Sequence, residues 1–496
     1  MGGAFLLHAL WKQLGIDGVL ERIIGRRSFR TDVGQAIFAM VANRALDPTS
    51  KHAIPDWVEH DVHLPGLTQW LTDDQLYRAM DLLTEAGDEL QKAVFFETAS
   101  LLNLEVDLLL YDTTSSYFEM EGTDQDLLDR QQAWEAFDSG EGPQPRLPRP
   151  QVVNDPPLRK RGHSKDRRPD AAQIVIGLAV TREGIPVRCW VWPGNTNDMT
   201  TVATVKSDLA SWRLHRVVWA VDRGMMSEQN VRELQRGGAH VIAGEKLRSG
   251  KAEVVAALSR AGRFRKVADN LEVKDIVVGE GEGRTRYVLV RNPREQERDR
   301  DQREQVLKRL EAELAQLPED GTEHTKAVCE LVAHPTFGRY LRKTKSGKLR
   351  IDRAKVQEEA RLDGKYLLLC TDDSLSAVDV AQSYKQLLAV EAAWRSLKPD
   401  LDLRPMYHRL EARIRSHVLL CWLALLLVRL IEVKTERTWP VVRTQLDRIH
   451  RGVFRSRSGT VVQRTELTEP QQALFRAMDL SPPPRFEAIT PLAPPA

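Results

Sequence analysis

VDLLLYDTTSSY (residues 106–117), read together with RVVWAVDRG (216–224), decides how this chain folds. In each stretch a short run of aliphatic and β-branched residues leads into an aspartate, Asp112 in the first and Asp222 in the second. A brief apolar run bounded by polar residues reads as a buried strand, because helices need a longer period-3.6 pattern. Between the two lie QIVIGLAV (173–180) and the alternating IPVRCWVW (185–192), separated by a tight Gly184-Ile185-Pro186 connection. Three consecutive strands joined in this way predict an antiparallel meander. Further along, Met199 to Trp212 reads as a helix with Asp198 as its N-cap, and Ser227 to about Gln235 as another. The Gly237-Gly238 turn then leads to the strand HVIAG (240–244).

Three strands, helix, strand, helix, strand is the order of an RNase-H-like α/β core. Outward from it, residues 1 to about 105 are helical, with apolar residues at three- and four-residue spacing in 5–24, 33–46 and 76–102. Thr72-Asp73 caps the last of these, and the region is a candidate DNA-binding domain. Residues 248–362 interrupt the core as an inserted domain. It holds a strand pair, LEVKDIVVG and RTRYVLV, and a charged helix with Val306, Leu307, Leu310, Leu314 and Leu317 on one stripe. KYLLLC (365–370) resumes the core, followed by a helix from Ala377 to Lys398 that Pro399 stops. The expected segments are therefore 1–105, 106–247, 248–362, 363–435 and a C-terminal helix and tail, 436–496. Ser139 to Pro157 and the tail SPPPRFEAITPLAPPA read as loops, the tail too poor in apolar residues to order itself.

Composition excludes several classes. With 496 residues, 42% of them apolar, the chain can build several packed units and is not a disordered polymer. Its four cysteines are far apart with no CxxC pair, which speaks against a disulfide framework or a zinc site and for a reducing cytoplasm. The start, MGGAFLLHALWKQLGI, lacks a cleavage site and reads as a helix, not a signal peptide. Val418 to Val428 is much shorter than the roughly 20 residues a membrane span needs and reads as a core helix, so no membrane partner is expected. Net charge is only +2, yet basic residues cluster at 159–168, 339–348, 404–415 and 448–457, each able to neutralise phosphates.

Phosphodiester chemistry calls for two hard divalent cations held by carboxylates on rigid elements. Two strand-end aspartates, Asp112 and Asp222, on neighbouring strands of such a core need a cation between them. A third carboxylate, Glu391, lies midway between Tyr384 and Lys398 at seven-residue spacing, which puts all three on one helix face.

YKQLLAVEAAWRSLK (384–398) resembles the Tyr-x2-Arg-x3-Glu-x6-Lys signature of bacterial insertion-sequence DDE transposases of the insertion sequence four superfamily. YDTTSSYFE, GHSKDRRPDAAQIVIGLAV, PGNTND, VDRGMMSEQN, DGKYLLLCTDD, LRPMYHRLEARIRSH and NRALDPTSKHAIPDW resemble blocks of one subgroup, so the likeness runs from about residue 30 to 430. The resemblance implies a cut-and-paste DNA transposase in which Asp112, Asp222 and Glu391 hold two Mg²⁺ or Mn²⁺ ions. It implies that Tyr384 and Lys398 hold DNA phosphates or the terminal nucleotide. The partners implied are double-stranded DNA with terminal inverted repeats, target DNA and a second copy of the chain.

Two departures stand out. Leu387 occupies the signature's Arg position and cannot make a bidentate phosphate contact; Arg395, one turn after Glu391, is the expected substitute. The subgroup also carries more chain before its first helix than MGGAFLL, as expected of a truncated or internally initiated copy. Lys165, Arg404 and His408 join the candidate DNA contacts, and His163 and Ser164 share the Lys165 loop. Trp394 reads as a core aromatic, and His417 as packing or DNA contact. Two other readings remain open: a non-catalytic DNA-binding protein derived from a transposase, and a stand-alone nuclease with the same core.

Overall fold

The structure, a computed structural model, describes residues 1–25, 32–67, 70–102, 104, 107–119, 122–212, 214, 217–317, 326–345, 348–456 and 458–491. The segment limit expected at 105–106, part of the basic cluster 339–348, and Arg457 of the last cluster lie outside the described residues. The chain divides into two compact units, Met1–Val217 with Gln386–Ala496, and Val218–Lys385. This division differs from the expected five segments. The N-terminal helices, the meander and the C-terminal region share the first unit, while Asp222 falls in the second with the insertion.

In the first unit, helices Gly2–Gln13, Val33–Leu46 and Asp73–Leu102 pack around helix Glu411–Thr435. Every residue of that helix from Val418 to Val428 is buried. By length and composition it could cross a membrane, but 83% of its most apolar window is covered by the protein itself, as expected of a core helix. Beside it lies the meander. Strands β1 (Leu108–Tyr117), β2 (Gln173–Thr181) and β3 (Pro186–Pro193) pair antiparallel in the order β3-β2-β1. Gly184, at φ +78°, makes the β2–β3 turn, and a Cβ there would lie 3.1 Å from the Arg429 guanidinium and 3.4 Å from Ala389. Helix Leu387–Arg395 packs on β1 and β2.

The second unit is built on a mixed sheet. Strands β4 (Val218–Val221) and β5 (His240–Glu245) run parallel, and β6 (Arg265–Ala268), β7 (Leu271–Val278) and β8 (Thr285–Arg291) form an antiparallel ladder. Short strands β9 (Leu341–Lys343) and β10 (Leu349–Ile351) pair separately, and β11 (Lys365–Cys370) lies between β5 and β8, antiparallel to both. The strand pair expected inside an inserted domain thus extends the sheet that carries β4 and β5. Four successive buried residues, Leu367 to Cys370, show that both faces of β11 are covered, as in the interior of a sheet. The stripe on helix Pro293–Ala315 is apolar packing as expected: Leu310 is buried against Tyr340 and Leu341, with Val306, Leu307 and Leu314 beside it.

The C-terminal reading needs correction. Residues 481–496 were expected to stay a loop, yet Phe486–Pro491 forms strand β14, pairing with β13 (Gly459–Arg464), which pairs in turn with β12 (Arg451–Ser456). A strand edge supplies backbone partners that a tally of apolar residues misses. The four cysteines are free thiols.

Candidate active site

Asp112 was expected to end its strand, but β1 continues to Tyr117 and places Asp112 in mid-strand opposite Leu178 of β2. The four hydroxyl residues that follow, Thr113 to Ser116, are all buried. Buried hydroxyls require partners, and Thr113 and Ser115 find theirs around the site. Thr113 Oγ1 donates to Asp198 Oδ1 at 2.6 Å, and Ser115 Oγ accepts from the Lys165 backbone N–H at 2.9 Å. The Lys165 ammonium donates to the Thr113 carbonyl at 2.7 Å and to Thr113 Oγ1 at 2.8 Å. It stands 3.0 Å from Asp198 Oδ2 and 3.8 Å from Asp112 Oδ1. Oxygen donors therefore surround one positive charge next to Asp112. Asp198 is not the helix cap expected of it: Asn197 caps helix Asp198–Ala210 through Met199 N–H, which leaves the Asp198 carboxylate for Lys165.

The helix expected from Ala377 to Lys398 is interrupted. Helix Ala377–Lys385 ends, Gln386 tightens the chain with its carbonyl accepting from Ala389 N–H at 2.7 Å, and helix Leu387–Arg395 follows. Pro399 does not stop the chain at Lys398; a π-type turn, Ser396–Asp400, runs through it and closes with Leu401 N–H donating to the Ser396 carbonyl at 3.1 Å. Proline lacks the N–H that a regular turn would use there. Tyr384, Glu391 and Lys398 consequently ride on three separate elements rather than one helix face. Glu391 and Arg395 are exposed on Leu387–Arg395, Trp394 is buried there as expected of a core aromatic, and Leu387 is half-buried. The π turn directs Lys398 Nζ to Asp166, 2.5 Å away, and Arg404 pairs with the same carboxylate oxygen. Burial draws the Lys398 ammonium below its usual range and Asp166 opposes that drift.

In the second unit, Asp222 ends β4 as expected. It caps the turn Arg223–Met225, Oδ2 accepting from Gly224 N–H at 3.3 Å, and is exposed. Tyr384 reaches it: burial raises the Tyr384 hydroxyl well above its ordinary range, and the charge of Asp222 and a hydrogen bond to it add to the rise. Gly244 of β5 makes room, since a Cβ there would collide with the Tyr384 hydroxyl.

Several expected phosphate contacts are engaged inside the protein. Arg159 is buried and bound to Asp124, with Nε 2.6 Å from its carboxylate. Arg168 pairs with Asp170, Arg339 with Glu359, Arg413 with Asp81 and Arg415 with Glu411. His408 packs between Tyr77 and His417, and burial drives its imidazole down to about 3, which keeps it uncharged. Asp166 and Thr113 were not singled out from sequence. A run of four hydroxyl residues inside an apolar strand was the available signal for Thr113, whereas Asp166, within a cluster of cations, reads in sequence as a solvated charge.

Among the described residues no three His, Cys, Asp or Glu side chains are gathered tightly enough to hold a metal ion. The donor chemistry beside Asp112 nevertheless fits a hard cation, because carboxylate, hydroxyl and carbonyl oxygens already surround the Lys165 ammonium. A family model described as a transposase DDE domain matches residues 148–427. No curated protein matches the chain. Among solved structures, a piggyBac transposase synaptic complex with hairpin DNA aligns at 10% identity and a TM-score of 0.37, over 90% of this chain and 78% of that one.

Proposed function

The chain belongs to the transposase DDE-domain family, and from that membership we propose that it is a cut-and-paste enzyme of the insertion sequence four superfamily with an RNase-H-like core. Asp112, Asp222 and Glu391 are its metal-holding carboxylates, the hard oxygen ligands that a divalent cation takes. Two divalent ions, Mg²⁺ or Mn²⁺, when bound there, acidify the attacking water or 3′-hydroxyl and stabilise the leaving oxygen. The chain's own groups do the rest. Tyr384, kept protonated by burial and by Asp222, donates a hydrogen bond to a DNA oxygen and does not serve as a base. Lys398 and Arg404 hold backbone phosphate, and Lys165 supplies countercharge to Asp112 until a cation takes that place. Arg395 stands in for the arginine that Leu387 replaces; full end binding and cleavage by Arg395→Ala would remove it from this role.

The substrate is double-stranded DNA bearing terminal inverted repeats, bound by two copies of the chain, and the freed 3′-hydroxyl attacks target DNA. The N-terminal helices and residues 248–362 contribute sequence preference, with backbone contacts supplying much of the affinity.

The observation that carries this reading is the oxygen-lined cation position beside Asp112, in a chain of this family. Purified protein is incubated with Mn²⁺ and labelled duplex from the ends of the DNA element that encodes it. Nicking and joining to a target plasmid, both lost in Asp222→Asn, are the expected result. Binding without nicking would leave a non-catalytic DNA-binding protein, and nicking without joining a stand-alone nuclease.

A further inference from the structure

The loop between Gly162 and Asp170 places two opposite charges side by side, and they face different partners. Lys165 turns to Asp112 and Asp198, and Asp166 turns to Lys398 and Arg404. The Asp166 side chain is only 3% exposed, against 12% for Lys398 and 32% for Arg404. Its Oδ1 serves both cations, while Oδ2 is buried without a hydrogen-bond partner. A buried ion pair is weak as a stabilising device, because desolvation consumes most of the Coulombic gain. A half-satisfied buried carboxylate is a poorer one still.

The arrangement makes sense as a positioning device. One anion beneath two cations leaves the cluster a net positive charge, and exposure increases from Asp166 through Lys398 to Arg404. An anion arriving from solvent meets the cations and not the carboxylate. Backbone bonds fix the loop: Asp166 N–H and Arg168 N–H donate to Ser164 Oγ at 3.3 and 3.0 Å, and Lys165 N–H to Ser115 Oγ at 2.9 Å. So held, Asp166 is an anchor and not a releasable latch.

We propose that Asp166 is a positioning residue that holds Lys398 and Arg404 side by side as a two-cation seat for one phosphate of the DNA backbone. This rests on the DNA-processing reading above and assigns the phosphate contact of Lys398 to a three-residue unit. It makes a counter-intuitive prediction. Removing a negative charge from a nucleic-acid surface ordinarily tightens binding, but removing this one unseats two cations and weakens it.

The test measures affinity for fluorescent duplex from the element's ends, and for a scrambled duplex, across a salt series. The proteins are wild type, Asp166→Asn, the double variant Lys398→Ala/Arg404→Ala, and the triple variant. Wild type is expected to bind with steep salt dependence, and each lost cation to lower the steepness of log Kd against log salt by about one. Asp166→Asn is expected to bind roughly tenfold more weakly, the size of one charge-assisted contact. It should add nothing further once both cations are gone. Binding as tight as wild type or tighter in Asp166→Asn, or an equal loss from it in the cation-free background, overturns the proposal. If Asp166→Asn melts too low to assay, Arg404→Lys keeps the charge but loses the guanidinium Nη1 that meets Asp166 Oδ1; unchanged affinity there overturns it equally. Wild-type protein that binds neither duplex refutes the DNA reading itself, a distinguishable failure.

Discussion

Asp112 and Asp222 each follow the same kind of apolar run, yet the protein treats the two carboxylates differently. Asp112 lies mid-strand and half-buried beside the Lys165 ammonium, which a second carboxylate and a threonine hydroxyl also hold. Asp222 stands exposed at a strand end, on a turn it caps itself, with Tyr384 as its neighbour. One half of the proposed centre is therefore pre-organised, with two carboxylates sharing one ammonium, while the other offers an open carboxylate. Buried charge has to be compensated by the fold in advance; exposed charge is compensated by water.

Asparagine at either position should reduce metal-dependent nicking alike, by on the order of 10³-fold, the scale of losing a principal electrostatic stabiliser. Their stabilities should diverge: Asp222→Asn, at an exposed site, should stay within about 0.5 kcal/mol of wild type in urea titrations, and an equal loss from both variants would erase the distinction. Lys165→Met should cost about 1–2 kcal/mol, less than a fully buried pair because all three partners are partly solvated. Mg²⁺ should restore part of that loss by binding the folded state alone. A melting temperature indifferent to Mg²⁺ in this variant would deny the oxygen cradle its affinity for cations.

A smaller effect concerns acid. Burial, reinforced by Lys51, holds the His408 imidazole at about 3 and the His417 imidazole well below its usual range, so both are neutral in the folded chain. The unfolded chain protonates them near pH 6.5 and therefore binds more protons below that point. Stability should be full above pH 6.5 and decline as pH falls below it, the His408 share being lost progressively towards about pH 3. Urea midpoints that decline equally in His408→Asn would show that this imidazole does not contribute.

Much of the architecture was legible in the sequence because apolar periodicity reports burial directly. The β2–β3 hairpin, the core helix through Val418–Val428 and the stripe on Val306 to Leu314 all follow from it. What was misread depends on partners that local pattern does not reveal. β1 runs past Asp112 because Thr113 to Ser116 pair with β2 while the Thr113 and Ser115 hydroxyls find partners, and β14 forms because β13 offers it an edge. The heptad of Tyr384, Glu391 and Lys398 was legible as spacing, but the break at Gln386 and the π turn through Pro399 were not. Asp166 was invisible for a related reason: its cations lie 232 and 238 residues further along the chain.

Asp112, Asp222 and Glu391 are proposed to serve one metal centre. Fe²⁺ loaded in place of Mg²⁺ on the DNA-bound protein, with hydrogen peroxide added as oxidant and ascorbate to return Fe³⁺ to Fe²⁺, generates hydroxyl radicals at the metal, and these cut the polypeptide beside the ligands. Scission near residues 112, 222 and 391 together, suppressed by excess Mg²⁺ and lost in Asp222→Asn, is the predicted result. Scission confined to the neighbourhood of residues 112 and 198, with none at 222 or 391, would contradict it.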